Sequence, residues 1–292
     1  MTELRQLREG DADAVAALFV EAWGESRRMD GDEIRAWLGN ESLKPENLLV
    51  LEREGRVVGY FDVWRKDDLA DLDVAAPGFW HEAFDYAEQR ARDLGAKRAR
   101  SFFVEGHVVA ELVAARGYLP IRASYTMEIE LGDEPPLEPV VPDGIEIRPY
   151  RHPEDEAVVY RAQQEAFADH WEFHPEPIEQ WREFSVKALN FEPSLWFVAW
   201  DRDDVAGVSL NYFTRPGDPG YGFVGTLAVR RAWRRRGLGE ALLRRSFVAL
   251  HARGQRRVRL AVDAENLTGA TRLYQRAGMT VVRQSNTWER AL

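Results

Sequence analysis

An apolar run, an arginine-crowded turn and a glycine-opened helix follow one another without a break in residues 224–243, VGTLAVRRAWRRRGLGEALL. Residues 224–229 have strand character, arginines 230, 231, 234, 235 and 236 crowd the turn, and Gly237 and Gly239 flank the start of an apolar helix. The first turn of a helix carries N–H groups with no intrahelical acceptor, and the helix dipole adds positive potential there. Glycine lets a ligand approach that backbone where a Cβ would block it. A turn of this kind, ringed by cations, suits a pyrophosphate. A basic helix start open to solvent, or a patch for nucleic acid, would use the same arginines.

A second stretch decides between these readings. Residues 262–279 read VDAENLTGATRLYQRAGM, with Asn266 as a natural N-cap and Gly278 closing the helix. The spacing Arg234-x-x-Gly237-x-Gly239 ahead of this stretch resembles the acyl-CoA-binding motif of the GNAT superfamily of N-acetyltransferases, with Met279 where the family commonly has Phe. The resemblance implies acetyl-CoA as acyl-donor co-substrate, an amine acceptor, no metal, and direct transfer in a ternary complex without an acyl-enzyme. The residues it places around the cofactor are Leu227, Ala228, Val229, Arg234, Arg235, Arg236, Gly237, Leu238, Gly239, Glu240, Asn266 and Tyr274. A backbone N–H near Ala228–Val229 would meet the oxyanion. Asn266 would lie near the pantetheine, and Tyr274 near the thioester sulfur as general acid. One family feature is missing: many members carry a Glu on the strand before the loop, whereas residues 222–227, GFVGTL, hold no carboxylate. Asp169, His170, Glu172 and His174 occupy the loop expected near the acceptor, and each is read first as a loop or substrate contact rather than as the base.

The order of elements occurs twice. Leu4-Arg5 matches Ile147-Arg148, Val57-x-Gly59 matches Val205-x-Gly207, and Arg116-Gly117-Tyr118 matches Ala277-Gly278-Met279. Between the halves, residues 132–144 hold Pro135, Pro136, Pro139 and Pro142, which suit neither a helix interior nor a central strand. The expectation is an α/β (α+β) fold of two tandem GNAT domains, each with a mixed, mostly antiparallel central sheet flanked by helices. The domains would span 1–131 and 145–292, joined by the linker 132–144. Tandem order of this sort is similar to that of the mycothiol synthase-like acetyltransferases, which acetylate a cysteinyl-glucosamine-inositol. The first copy has lost the loop arginines and the tyrosine: Val113 stands where Tyr274 does, and Asp71 and Asp73 flank the turn. It is expected to bind no CoA in the usual way and to act structurally, with Trp64, Phe79, Trp80 and His81 as core or cleft residues.

Charge and composition narrow the classes. Net charge is −10, carried by residues 1–140 with 17 Lys and Arg against 29 Asp and Glu. That acidity opposes nucleic-acid binding, despite eleven arginines between 230 and 259. With no cysteine, there is no disulfide, thiolate metal site or cysteine nucleophile. No apolar run reaches the roughly 18 residues of a membrane span, and residues 1–15 show no apolar signal segment, so a cytoplasmic protein without a membrane partner is expected. Members of such families often dimerise, so a homodimer stays open. A non-catalytic acyl-CoA sensor is the alternative function, favoured by the missing Glu and opposed by Tyr274.

Overall fold

In the computed structural model, which describes residues 2–212, 220–266 and 269–292, the apolar runs become strands wherever Gly, Asn or Asp punctuates them and helices where their spacing is three to four. The first half carries β1 (Thr2–Gln6), α1 (Ala12–Trp23), α2 (Gly31–Gly39), β2 (Leu48–Arg53), β3 (Arg56–Lys66), β4 (Leu69–Ala75), α3 (Trp80–Asp93), β5 (Arg98–Val104), α4 (Val109–Ala115) and β6 (Leu119–Glu130). The second carries β7 (Ile145–Pro149), α5 (Glu156–Phe167), α6 (Ile178–Phe184), β8 (Phe197–Asp201), β9 (Asp204–Tyr212), β10 (Gly222–Val229), α7 (Leu238–Ala252), β11 (Arg257–Asp263), α8 (Ala270–Arg276) and β12 (Thr280–Ala291).

The chain forms two units, each built on the same pairing pattern. In the first, β1, β2, β3 and β4 are antiparallel neighbours and β4 runs parallel to β5. In the second, β7, β8, β9 and β10 are antiparallel neighbours and β10 runs parallel to β11. A buried contact marks the repeat atom by atom. Arg5 Nη1 and Nη2 donate to both oxygens of Asp11 at 2.6 and 2.8 Å, and the Arg8 N–H donates to Asp11 Oδ2 at 2.8 Å. Arg148 Nη1 and Nη2 donate to Asp155 at 2.7 and 3.0 Å, and the Arg151 N–H donates to Asp155 Oδ2 at 2.8 Å. In both units this clamp ties the first strand to the start of the first helix.

The division of the chain differs from a cut at the proline-rich linker in two places. Residues 283–292, expected in the second domain, belong to the first unit, and residues 125–131, expected in the first domain, belong to the second. The cause is strand exchange. β12 completes the first sheet by pairing antiparallel with β5, Ser285 opposite Val104 through Ala291 opposite Arg98, and Arg100 Nη2 binds Glu289 at 2.7 Å. β6 lies beside β11 in the second sheet, where Arg259 Nε reaches Glu128 at 2.5 Å. β12 is one continuous strand over Thr280–Ala291, and α6 is short, ending at Phe184. Leu267 and Thr268 of the 262–279 stretch, like Phe213, lie outside the described residues.

In the second unit the sheet is covered on both faces, so β8 and β9 are largely buried. Successive side chains of β8 alternate: Val198 packs with Val159, Ala162 and Ala166 of α5, while Phe197 and Ala199 pack with Leu238 and Leu242 of α7. Even His251 of α7 is buried. This packing aims the end of α5 and the start of α7 at the same end of β10.

Candidate active site

The site begins where two strands part. Parallel pairing of β10 with β11 is confined to Gly222–Val258 and Phe223–Arg259, while β10 continues to Val229 and β11 to Asp263. Pairing with β9 on the other side persists to Val229. The Arg230 N–H donates to Ala206 O of β9 at 3.0 Å, so by strand alternation Ala228 also turns its amide to β9. Leu227 and Val229 turn theirs the other way, towards the parted edge. Consistent with this, Val229 O accepts from Arg234 Nε at 3.0 Å rather than from β9. Of the three strand residues expected at the cofactor, Leu227 and Val229 therefore have amides aimed at the gap, and the Ala228 amide is used by the sheet.

The turn after β10 is held by acids from α5 and the turn that follows it. Arg230 binds Glu165 at 2.7 Å, and Asp169 pairs with both Arg231 and Arg234, the latter at 2.8 Å. Arg234 Nη2 also donates to Ala166 O at 2.8 Å. All three donor nitrogens of Arg234 thus make a contact within the protein, so this residue staples the turn to α5. Arg235, Arg236 and, on α8, Arg276 have no ion-pair partner among the described residues. Arg235 adopts φ +61° and Gly237 φ +85°. Gly237 precedes α7, and no side chain caps that helix, which leaves the N–H groups of its first turn facing outward. At Gly237 it is the positive φ that demands glycine. At Gly239 it is packing, because a Cβ would come within 3.0 Å of Leu273 Cδ1 on α8.

Between these elements lies a pocket of about 810 Å³. It brings together Leu227, Ala228, Val229, Arg234, Arg235, Gly237, Leu238, Gly239, Glu240 and Tyr274 of the expected set. Arg236 is exposed outside it, and Asn266 is not part of the lining. The residue directly before α8 is Gly269 at φ +77° rather than Asn266, whose N–H donates to Asp263 O at 3.1 Å within the preceding turn. The sequence missed Ala166 and Phe167 at the end of α5, and Arg276 and Leu273 on α8. The two lining residues of α8 could have been found from helical spacing, since Leu273 stands three residues after Ala270 and Arg276 three after Leu273, whereas nothing in the α5 sequence points to a pocket.

Tyr274 is buried against Met127, Val224 and Leu243, and desolvation alone pushes its hydroxyl up to about 12. Asp169 is held below the usual carboxylate range by its hydrogen bonds to Arg234 and Arg231. His170 is half-buried with its ring against Phe167, centroids 4.3 Å apart, and burial, helped by Arg234, lowers its pKa. Glu240 accepts from Arg244 at 2.9 Å. Among the described residues no group of His, Cys, Asp and Glu is arranged to hold a metal ion.

Residues 157–279 match the acetyltransferase (GNAT) family model. The chain is 30% identical over 255 residues to a mycothiol acetyltransferase of Geodermatophilus obscurus, covering 84% of this chain and 82% of that one. The chain belongs to the GNAT family of acetyltransferases. Its fold superposes on a GCN5-related N-acetyltransferase from Sphaerobacter thermophilus with TM-score 0.78 and 29% identity, over 99% of this chain and 95% of that one. A tandem GNAT protein from the clavulanic acid biosynthesis pathway shares the fold over 100% of this chain and 98% of its own, with TM-score 0.75 and 18% identity. This GNAT protein is thus an N-acetyltransferase with a tandem fold.

The first GNAT unit has the same parting of strands, with an aromatic stack beside β5. β4 and β5 pair only from Leu69–Arg98 to Asp71–Arg100. At the end of α1, Trp23 stacks on His107 with ring centroids 4.2 Å apart and on Phe103 at 5.7 Å, and meets the edge of Trp80 at the start of α3 at 5.7 Å. His107 Nε2 lies 2.7 Å from Ala22 O, which pins the stack to α1. These elements correspond to those that surround the open pocket of the second unit.

Proposed function

We propose that this enzyme moves the acetyl group of acetyl-CoA to the primary amine of a small molecule or peptide by direct attack in a ternary complex, using the second unit. The observation that carries the reading is one pocket that joins the uncapped start of α7, the outward amides of Leu227 and Val229, and Tyr274. The pyrophosphate would take the N–H groups of residues 238–240, with Arg235 beside it and the loop stapled behind it by Arg234. A thioester carbonyl against the parted edge of β10 would meet the Leu227 or Val229 N–H, preorganised donors for the charge that develops on its oxygen. Tyr274, protonated throughout the physiological range, would give its proton to the departing thiolate. The name of the curated relatives makes a cysteinyl amino-sugar the first acceptor to try. In the first unit, the Trp23–His107 stack and the acidic turn argue for a single acetyl-CoA per chain.

The test is acetyl-CoA binding by calorimetry together with CoA release over a panel of amino-sugars, cysteinyl amines and peptides. Wild type should bind one equivalent and turn over at least one amine. Gly237→Glu should lose binding, since the added carboxylate meets the pyrophosphate. Binding of acetyl-CoA without release on any amine would overturn the transfer reading, and absence of binding would overturn the site.

A further inference from the structure

The strand carboxylate that would deprotonate the acceptor is missing, yet an amine at neutral pH is an ammonium ion and cannot attack until it loses a proton. We infer that His170 is the group that takes that proton, an inference that rests on the proposed transfer to an amine. The pocket leaves few alternatives among its described lining residues. Asp169 is locked between Arg231 and Arg234. Glu240 is paired with Arg244 in the first turn of α7. Tyr274 is buried and stays protonated. The remaining ionisable lining groups are arginines, which hold their protons.

His170 meets the demands of the role. It lines the same pocket as Tyr274 and the end of β10, at the close of the α5 segment. The charges that act on it come from three elements: Asp169 beside it, Arg234 in the turn after β10 and Asp263 at the end of β11. Burial and Arg234 outweigh the two carboxylates, so its pKa is lowered and the ring is neutral at pH 7. Its backbone N–H donates to Phe167 O at 2.8 Å and its ring packs on Phe167, which restrains the imidazole without occupying it.

The step balances as follows. The ammonium gives one proton to His170, and the freed nitrogen lone pair bonds to the acetyl carbon. The carbon–sulfur bond breaks and its electron pair leaves on sulfur. Tyr274 protonates the sulfur, and the second nitrogen proton restores Tyr274 through solvent. The products are the amide, CoA thiol and one proton, which His170 passes to water.

The experiment compares wild type with His170→Gln and His170→Gly, using acetyl-CoA with glucosamine and S-methylcysteine as probe amines. His170→Gln should bind acetyl-CoA with wild-type affinity while kcat falls about a hundredfold. The low-pH limb of kcat/KM, which in wild type should show an apparent pKa below 6.5, should vanish with it. Added imidazole should restore part of the rate of His170→Gly. A variant that keeps the wild-type rate and limb, or a Gly variant deaf to imidazole, overturns this role alone. Acetyl-CoA binding without CoA release from either probe in wild type overturns the transfer to amines and this role with it.

Discussion

Tyr274 shows how a residue's surroundings set what it can do. It is packed among Met127, Val224 and Leu243, and that desolvation raises its hydroxyl to about 12. A group with a raised pKa remains a proton donor up to that pH, so it should contribute no alkaline loss of activity between pH 7 and 10. Tyr274→Phe keeps the packing and removes only the hydroxyl. Steady-state kinetics should show kcat lowered about a hundredfold with acetyl-CoA affinity unchanged, and an equal loss in affinity would mean that the hydroxyl serves binding rather than proton transfer. The two glycines of the loop separate in the same way. Gly237 holds φ +85° with open space around its missing Cβ, whereas Gly239 faces Leu273 at 3.0 Å. Gly237→Ala should therefore strain the backbone that presents the first-turn N–H groups, by about 1–2 kcal/mol, and weaken acetyl-CoA binding. Gly239→Ala meets only the end of a flexible side chain and should bind acetyl-CoA within a few-fold of wild type. Both glycines and Tyr274 were legible in the sequence, because their spacing is a local pattern. The role of Arg234 was not, since its partners Ala166 and Asp169 lie more than sixty positions away and no local pattern announces them.

At the scale of elements, the Arg5–Asp11 and Arg148–Asp155 clamps hold the first strand of each unit to its first helix. The sequence showed the Leu4-Arg5 and Ile147-Arg148 match, but the aspartates stand at different spacings, Asp11 six residues and Asp155 seven after their arginines, so the second half of the motif stayed hidden. Asp155 is buried, and its pKa is lowered because the hydrogen bond from Arg148 and the Arg151 N–H outweigh the cost of burial. A carboxylate with a depressed folded pKa contributes stability that is complete above its unfolded pKa, near 4, and is lost as pH falls through the folded value. Asp155→Asn should then cost about 1.5–3 kcal/mol at pH 7 by chemical denaturation, the range for hydrogen bonds to charged groups. The difference from wild type should shrink as both proteins are taken below pH 4. A gap that stays constant down to pH 2 would show that the clamp works by shape rather than by charge. The helix of the 262–279 stretch was legible from its apolar spacing, but α8 begins directly after Gly269, because glycine accepts the left-handed turn there, rather than after Asn266.

The whole chain is where local reading stops. Alternation and turn residues identify a strand, but they do not say which sheet edge receives it. The linker 132–144 looked like a boundary because proline breaks regular structure, yet β6 before it belongs with the strands after it, and the end of β12 completes the first unit. A cut at the linker would leave β11 without β6 and β5 without β12, two unpaired seven-residue edges open to intermolecular pairing. The fragment 145–292 should accordingly aggregate or show no cooperative unfolding. The fragment 125–282 retains β6 beside β11 and every lining residue of the pocket, so it should be soluble and bind acetyl-CoA in a calorimeter. The full chain truncated after residue 282 should keep that binding while losing the unfolding transition of the first unit, whose sheet has been stripped of β12. If 145–292 instead folds and binds while 125–282 does not, the strand exchange is not what holds the second unit together, and the linker is the boundary after all.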